Sequence, residues 1–304
     1  HVDLVSIHSY DNSDLQFSDA LVSSSILVFR KSKNKNEYVK FSWGANINNP
    51  DKTIIIKKTE LNPIEKWNYS FLLNRNAYAE SKFTIGTFFN IKRGIATGDN
   101  SFFILNKKTI DEFDIPLQVL SPLIPPPRKL QSKIYTKKNA KEDSLYLLSS
   151  HETISTIKEQ HIGLYEYLEK GISDGVHLRA NCKNRDPWYG LEKRPSAPIL
   201  VSYMGRDTNT SDIPIKFILN LSDGIATNSY LCLYPKDEYL PLDKDAYKNI
   251  WNILSSIPKD VLLAFGRSYG GGLLKWEPKE LGLIPCPMLA EYFKPRQASL
   301  FDNI

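Results

Sequence analysis

The sequence predicts an α+β fold from two kinds of segment and from their arrangement. Short segments rich in β-branched and aromatic residues occur at residues 17–30, 197–203 and 227–233, and such segments are typical of β-strands. Amphipathic helices are predicted over residues 152–170 and 245–256, where apolar residues recur at helical spacing. The strands and helices do not alternate one by one, which favours an α+β over an α/β arrangement.

Composition and charge set the broad class of the protein. Of its 304 residues, 41% are hydrophobic and 24% are charged, so the chain can bury a core and is not disordered. The net charge of +5 makes an acidic partner plausible, although many basic proteins bind no nucleic acid. Cys182, Cys232 and Cys286 lie far apart and form no CxxC pair, which predicts reduced, buried thiols in a cytoplasmic protein. No signal peptide and no apolar run of membrane-spanning length occurs.

A β-hairpin is predicted at residues 17–43, with its polar turn at residues 31–36. The lysines of this turn are interpreted as a solvated loop rather than a binding patch. Residues 46–80 follow as a connector, with a short helix expected to begin at Pro63. Because the chain starts at His1, without Met and directly in strand-like sequence, it is interpreted as part of a longer protein.

No complete set of catalytic or cofactor-binding residues occurs in the sequence. The consecutive glycines at residues 270–272 precede neither a P-loop nor a GxGxxG pattern. The five histidines are scattered, which argues against a metal site. Pro50-Asp51-Lys52 and Glu277-Pro278-Lys279 are the nearest fragments to a nuclease motif, and such short patterns arise by chance. No cofactor or metal is therefore expected to bind this chain by itself.

Four stretches carry a resemblance to a known family. They are residues 14–30 (DLQFSDALVSSSILVFR), 92–104 (KRGIATGDNSFFI), 187–206 (PWYGLEKRPSAPILVSYMGR) and 267–287 (RSYGGGLLKWEPKELGLIPCP). Together they resemble the C-terminal part of adenine-N6 DNA methyltransferases of restriction-modification systems. The first is similar to the end of the catalytic domain, and the other three are similar to the TaqI-like target-recognition domain. Their order along almost the whole chain makes the resemblance specific.

The resemblance implies a domain organisation. Residues 1–45 would be a β-hairpin at the edge of a Rossmann-like methyltransferase sheet, residues 46–80 a connector, residues 81–290 a mixed α+β target-recognition domain, and residues 291–304 a C-terminal tail. The family's donor-binding motif and its Asn/Asp-Pro-Pro-aromatic motif lie upstream of the first stretch, and this sequence contains no such tetrapeptide. S-adenosylmethionine is therefore expected to bind an N-terminal catalytic region of the parent enzyme, and this chain alone is expected to be inactive.

The resemblance also assigns roles to single residues. Phe17 matches the family's aromatic residue that stacks on the extruded adenine. The family needs such a residue because an enzyme that methylates a base must take it out of the helix stack. The alternative is a core phenylalanine at the start of a strand. The residues expected to contact double-stranded DNA are Lys92, Arg93, Thr97, Asn100, Arg185, Trp188, Tyr189, Arg206, Arg267 and Lys275.

Structural alternatives remain open for most of these residues. Thr97 and Asn100 are candidates for contacts with a base edge, but with Gly98 they also fit a tight turn. Trp188 follows several cations, as in nucleic-acid-facing loops, yet a buried tryptophan at a core edge explains it equally. The glycines at residues 270–272 lie between Arg267 and Lys275 and fit either contact with the DNA backbone or close packing. Both roles therefore stay open for Arg267 and Lys275.

The implied function is DNA sequence recognition for methyl transfer to the N6 atom of adenine. One rival is a non-enzymatic DNA specificity subunit, against which the stretch at residues 14–30 argues. Another is the methylase-specificity half of a fused restriction-modification endonuclease. A basic globular protein unrelated to DNA is the plain alternative.

Overall fold

The computed structural model describes residues 2–11, 14–20, 22–33, 36–206 and 215–293. The fold is α+β, with several small sheets, as the sequence predicts. The chain forms two compact units, which both combine distant segments. Unit 1 comprises residues 1–87, 204–215 and 256–288, and unit 2 comprises residues 88–203, 216–255 and 289–304. The assignment of residues 1–45 to a catalytic domain and of residues 81–290 to a recognition domain stays a prediction.

The elements follow one another in chain order. The strands are β1 (Asp3–Ser9), β2 (Ser25–Arg30), β3 (Tyr38–Trp43), β4 (Lys52–Lys57), β5 (Phe89–Arg93), β6 (Ile104–Asn106), β7 (Leu120–Pro122), β8 (Ile134–Thr136), β9 (Leu145–Leu148), β10 (Ile199–Ser202), β11 (Met204–Arg206), β12 (Phe217–Leu221), β13 (Tyr230–Pro235), β14 (Arg267–Tyr269) and β15 (Leu273–Lys275). The α-helices are α1 (Tyr69–Glu80), α2 (Ile85–Phe88), α3 (Asn100–Phe103), α4 (Lys107–Glu112), α5 (Lys137–Asp143), α6 (Ile154–Gln160), α7 (Ile162–Ser173), α8 (Lys244–Ser255), α9 (Lys259–Phe265) and α10 (Pro278–Gly282).

Unit 1 contains a four-stranded sheet in the order β2-β1-β3-β4. Strand β1 is antiparallel to β2 and parallel to β3, so the hairpin predicted at residues 17–43 is wrong. The reason is that β1 inserts between the two predicted partners: Ile7 lies opposite Leu27 on one side and opposite Phe41 on the other. Both edges of the β1 backbone are thereby hydrogen-bonded, which a direct β2–β3 pairing would prevent.

Helix α1 covers one face of this sheet. Its Leu72 is buried with Val39, Phe41 and Ile56 of the sheet. The helix begins at Tyr69 because the Asn68 side chain accepts a hydrogen bond from the Phe71 amide at 2.9 Å. The start predicted at Pro63 is therefore wrong: the chain makes only a turn there, in which the Asn62 side chain accepts from the Ile64 amide.

Unit 2 is built around a five-stranded sheet in the order β5-β13-β10-β12-β8. Strands β10 and β13 lie inside the sheet, and almost all of their residues are buried. A strand that is buried on both faces requires continuous apolar sequence. The strands predicted at residues 197–203 and 227–233 have such sequence and are confirmed, with slightly shifted ends. Strand β5 is an edge strand of this sheet, and within the part of the chain that the structure describes it pairs only with β13.

A second core of unit 2 lies between the sheet β6-β9-β7 and helices α6 and α7. The single helix predicted over residues 152–170 is wrong, because it is interrupted at His161, which has φ −142° and ψ 68° and ends α6 before α7 begins. The helix predicted over residues 245–256 is confirmed as α8. Among the described residues, no helix has the length and apolar character needed to cross a membrane.

All three cysteines are buried and free, as the sequence predicts. Burial raises the pKa of the Cys232 thiol to about 11 and also raises the pKa of Cys182. We therefore expect thiol reagents at about pH 8 to label the folded protein far more slowly than the protein in concentrated urea. Burying the neutral Cys232 thiol also contributes stability below about pH 9 that is lost as the pH rises towards 11. Rapid labelling of the folded protein, measured with a chromogenic disulfide, would contradict the predicted slow reaction of the buried cysteines.

Candidate nucleic-acid interface

The edge of the unit 2 sheet carries a group of cations. Lys92 and Arg93 are exposed on strand β5. The Arg93 guanidinium lies over the Tyr203 ring at 4.2 Å, and its Nε donates to the Asn228 carbonyl at 3.4 Å. Stacking of this kind fixes the guanidinium plane while most of its five N–H donors stay available.

A second pair of cations lies next to this strand. Arg194 donates to the Arg93 carbonyl oxygen and forms an ion pair with Glu192 at 2.5 Å. The hydrogen bond from Arg194 lowers the pKa of Glu192 and opposes its desolvation. Lys193, between them in the chain, is exposed. We call Lys92, Arg93, Lys193 and Arg194 the basic edge.

The turn that follows the basic edge depends on two glycines. A Cβ atom on Gly94 would lie 2.1 Å from the Thr227 carbonyl oxygen, so this position requires close backbone approach. Gly98 has φ +89°, which side-chain-bearing residues rarely adopt. Thr97 is buried and donates to the Asn100 side chain at 2.7 Å, whereas Asn100 itself is exposed. In this structure Thr97 shapes the turn, and contact of Thr97 or Asn100 with DNA stays a prediction.

Arg185 also supports this turn. Its two terminal nitrogens donate to the carbonyl oxygens of Thr97 at 2.8 Å and of Ala96 at 2.5 Å. Its guanidinium also lies 5.8 Å from the centre of the Phe103 ring. The role of Arg185 as a support of the turn was not predicted from the sequence, because the residues it joins lie almost ninety positions apart. Its contact with DNA stays a prediction.

We expect the substitution Arg185→Met to lower the free energy of unfolding by about 2 kcal/mol, because charge-assisted hydrogen bonds to two carbonyls are lost. Urea unfolding followed by circular dichroism measures the change. Lys183→Met removes a neighbouring exposed cation and is the matched control. Equal stability of the two variants would show that Arg185 does not support the turn.

The aromatic pair at residues 188 and 189 packs into the second core of unit 2. Trp188 is half-buried and lies 5.4 Å from Phe102 between ring centres. Tyr189 is buried, and its hydroxyl donates to the Glu152 carbonyl at 2.7 Å. Tyr189 is thus a member of this core and Trp188 packs against it, which gives both residues a structural role, and their contact with DNA stays a prediction.

Three further predicted residues meet on the small sheet of unit 1, in the order β11-β15-β14. Lys275 lies opposite both Met204 and Arg267, and Arg206 lies opposite Leu273. Because side chains alternate along a strand, Arg206, Arg267 and Lys275 share one face of this sheet. We call these three residues the basic face. Tyr269, on the same face, is partly exposed.

Acidic residues of the EPKEL segment hold two of these cations. Arg267 Nε lies 2.6 Å from a Glu280 carboxylate oxygen, and Lys275 Nζ lies 2.8 Å from Glu277. Glu280 also lies 3.6 Å from Lys66, whose ammonium donates to backbone carbonyls at the end of α9. Desolvation lowers the pKa of Lys66, and Glu280 acts in the opposite direction. These partners were not predicted from the sequence, although the alternation of acidic and basic residues over 275–280 was a signal for them.

Phe17 lies outside the strands and is 54% exposed. It is therefore not the core residue at a strand start that the alternative interpretation required, because β2 begins only at Ser25. The segment before β2 contacts strand β14, since the Ser23 hydroxyl donates to the Ser268 carbonyl at 3.2 Å. Stacking of Phe17 on an extruded adenine stays a prediction.

Comparison with known proteins gives the family. Residues 65–304 match the family model described as the C-terminal domain of the Type II methyltransferase M.Eco57I. The chain belongs to this family. The resemblance inferred from the four sequence stretches, to the C-terminal part of a restriction-modification methyltransferase, is thereby confirmed.

The curated relatives are longer proteins. The chain is 29% identical over 230 residues to the Type II methyltransferase M.AccI of Acinetobacter calcoaceticus, covering 73% of this chain and 40% of the relative. It is 26% identical over 251 residues to the Type II methyltransferase M.XamI of Xanthomonas campestris pv. amaranthicola, covering 81% and 44%. This chain thus spans less than half the length of these relatives.

Two solved structures are similar over nearly the whole chain. The type IIG restriction endonuclease BpuSI has a TM-score of 0.42 at 12% identity, covering 99% of this chain and 37% of that protein. The Type IIL restriction-modification enzyme MmeI, solved in complex with DNA, has a TM-score of 0.43 at 12% identity, covering 97% and 44%.

Proposed function

We propose that this chain selects the DNA sequence for a site-specific adenine-N6 DNA methyltransferase of a restriction-modification system. The basic edge is the observation that carries the proposal, because it places cations on an exposed sheet edge within a methyltransferase C-terminal domain. The intact parent, in the cytoplasm, transfers a methyl group from S-adenosylmethionine to the N6 atom of adenine in duplex DNA. The donor-binding and catalytic residues belong to the N-terminal region of that parent.

The basic edge suits both kinds of DNA contact. Lys92 is a flexible point charge on an exposed strand, which fits a phosphate contact that positions the protein. Arg93 has a planar fork that Tyr203 holds in one orientation, which fits bidentate recognition of a guanine edge. The restricted guanidinium loses less conformational entropy on binding than a freely rotating one.

The basic face provides a second set of phosphate contacts. Arg206 donates to the Gly271 carbonyl at 2.9 Å, and the two other cations have acidic partners that are themselves partly accessible. Arg267 is 49% exposed, so its N–H donors that do not face Glu280 can reach a phosphate, whereas Lys275 is 20% exposed and reaches a phosphate only if it leaves Glu277. The glutamates keep the cations oriented in the absence of DNA.

Phe17 supplies the contact with the extruded base. Removing a base from the stack costs a few kcal/mol, which a flat apolar ring at the new position helps to offset. An aromatic side chain that is 54% exposed in the free protein is available for such stacking. The adenine amine is then free to meet the catalytic residues of the parent.

The salt dependence of duplex binding tests the proposal. The chain is titrated with a labelled duplex at a series of sodium chloride concentrations. We expect the logarithm of the association constant to fall linearly with the logarithm of salt, by about 0.9 for each phosphate contacted. No binding at low salt, or an affinity that does not change with salt, would contradict a DNA-recognition function.

A further inference from the structure

A second group of cations lies at the opposite edge of the unit 2 sheet. The strand order is β5-β13-β10-β12-β8, so β8 is the edge strand farthest from the basic edge. Residues 126–143 contain β8 and α5 and include six cations but only two carboxylates. All six cations are exposed, and we call them the lysine edge: Arg128, Lys129, Lys133, Lys137, Lys138 and Lys141.

Local contacts hold this surface in one conformation. The Thr136 and Asn139 side chains form a capping box at the start of α5. The hydroxyl of the buried Tyr135 donates to the Asp143 carboxylate at 2.8 Å, which fixes the end of α5 against β8. Residues 129–132 and α5 line one cavity of about 210 Å³, so the cations before and after β8 belong to one surface.

The cations of the lysine edge contribute little to the stability of the fold. Lys137 forms an ion pair with Asp223 at 3.0 Å, and both side chains are about three-quarters exposed. Lys138 lies 3.8 Å from Glu142, and both of these side chains are also exposed. Exposed ion pairs of this kind are weak in water. Both lysines also occupy the first turn of α5, where the helix dipole disfavours positive charge, so a partner explains them better than folding does.

Protection of the sheet edge from aggregation is the alternative explanation for these cations. Lysines on an exposed edge strand commonly serve that purpose. Strand β8, however, consists of Ile134, Tyr135 and Thr136, and the cations lie in the segment before it and in the helix after it. A strand of three residues is already a poor template for pairing. The number of cations thus exceeds what protection of this edge requires.

The lysine edge fits the phosphate backbone of duplex DNA. Five of its six members are lysines, whose ammonium groups are flexible point charges. Such groups neutralise phosphates and position a protein on DNA, but they carry little information about the base sequence. Duplex DNA presents one negative charge about every 1.7 Å along its axis, which matches a row of cations. We therefore expect binding at this edge to be independent of sequence.

A straight duplex at the basic edge does not reach the lysine edge. Four strand spacings, or about 19 Å, separate β5 from β8. Almost all residues of the interior strands β10, β12 and β13 are buried, so other parts of the protein cover both faces of the sheet. One duplex would have to turn around the unit to contact both edges. Duplex DNA resists such bending, because its persistence length is about 150 bp.

We propose that the lysine edge binds a second DNA duplex through its phosphates, independently of sequence, while the basic edge holds the duplex that is recognised. The proposal rests on the proposed function in one respect, because that function places the recognised duplex at the basic edge. One chain thereby bridges two duplexes. Attachment to one duplex raises the effective concentration of the other, so the protein can examine neighbouring DNA without returning to bulk solution.

Capture of a second duplex tests the proposal. One duplex is immobilised on beads, the full chain is bound to it, and a fluorescent duplex of unrelated sequence is added at low salt. We expect the triple variant Lys133→Gln, Lys137→Gln and Lys138→Gln to capture at least roughly tenfold less fluorescent duplex than the unmodified chain, because about three phosphate contacts are lost. Its affinity for the immobilised duplex should change less than about twofold, since the basic edge is intact.

The chain offers a control with the same change in charge. The triple variant Lys107→Gln, Lys108→Gln and Lys244→Gln replaces exposed lysines of unit 2 that lie outside the lysine edge. We expect it to capture as much fluorescent duplex as the unmodified chain. An equal loss of capture in the two variants would overturn the proposal in favour of net charge. Capture that survives in the lysine-edge variant would also overturn it, since two associated chains or another surface would then bridge the duplexes.

Two further outcomes separate this proposal from the proposed function. A chain that binds the immobilised duplex but captures no second duplex keeps the proposed function and overturns the proposal, whereas failure to bind any duplex overturns both. Affinity for a single long duplex gives the last comparison. If the lysine-edge variant loses that affinity but still captures a second duplex, the lysine edge contacts flanking DNA of the recognised duplex, and the proposal of a second duplex is wrong.

Discussion

The double substitution Lys92→Met and Arg93→Met is expected to weaken duplex binding at least tenfold and to reduce the salt slope of the association constant by about one. Both cations are exposed on edge strand β5. Loss of the Lys92 phosphate contact lowers the salt slope, and loss of the Arg93 contact with a base edge lowers the affinity without a comparable change in slope. Affinity titrations of the variant and the unmodified chain at four or more salt concentrations give both quantities.

The chain offers a control with the same change in charge. Lys107 and Lys108 are adjacent exposed lysines at the start of α4 in unit 2, and their replacement by methionine removes two charges that do not belong to the basic edge. If the two double variants lose affinity equally, net charge rather than the basic edge determines binding. A further variant, Arg93→Lys, keeps the charge but loses the planar fork, and we expect it to keep the salt slope while it discriminates less between sequences.

The substitution Gly94→Ala is expected to lower the free energy of unfolding by about 3 kcal/mol, a loss typical of forcing extra atoms into a packed site. The added Cβ would lie 2.1 Å from the Thr227 carbonyl oxygen and 2.6 Å from that of Ala226, and neither backbone atom can move without disturbing the sheet. The Ile95 amide bonds to this same segment, at the Ala226 carbonyl, at 2.9 Å. Urea unfolding at constant m value measures the loss.

Gly175→Ala is the matched control for the second prediction. Gly175 has φ +71°, but a Cβ there would have no atom within 4 Å, so only the backbone conformation is penalised. We expect a cost of about 1 kcal/mol, as for a side chain placed in the left-handed region. If Gly94→Ala costs no more stability than Gly175→Ala, the close approach of the chain at Gly94 to the Thr227 carbonyl does not require glycine at this position.

The parts of the fold that the sequence predicts are those determined locally. Strands β10 and β13 have continuous apolar sequence, and α8 has an apolar stripe followed by Pro258, so neighbours in the chain suffice to predict them. The pairing of β1 between β2 and β3 is decided by long-range contacts, which no local pattern contains. The break at His161 comes two residues before Gly163, a local signal that the prediction of one continuous helix did not use.

The candidate site shows the same division. The RG-containing stretch identifies Arg93, and its exposure on the edge strand agrees with a binding role that stays to be tested. The common face of Arg206, Arg267 and Lys275 depends on a register between strands some sixty residues apart, so the sequence names the residues but not their grouping. The supporting roles of Arg185 and Glu280 arise only from tertiary contacts.

Selection of bound sequences from a pool of random duplexes tests the central claim most directly. The chain is incubated with the pool at moderate salt, the bound fraction is recovered and amplified, and the cycle is repeated before sequencing. A DNA-recognition part of an adenine methyltransferase should enrich one short sequence that contains adenine, and the substitution Arg93→Lys should reduce that enrichment. A bound fraction with the same composition as the starting pool after repeated cycles would contradict the claim that this chain selects the sequence.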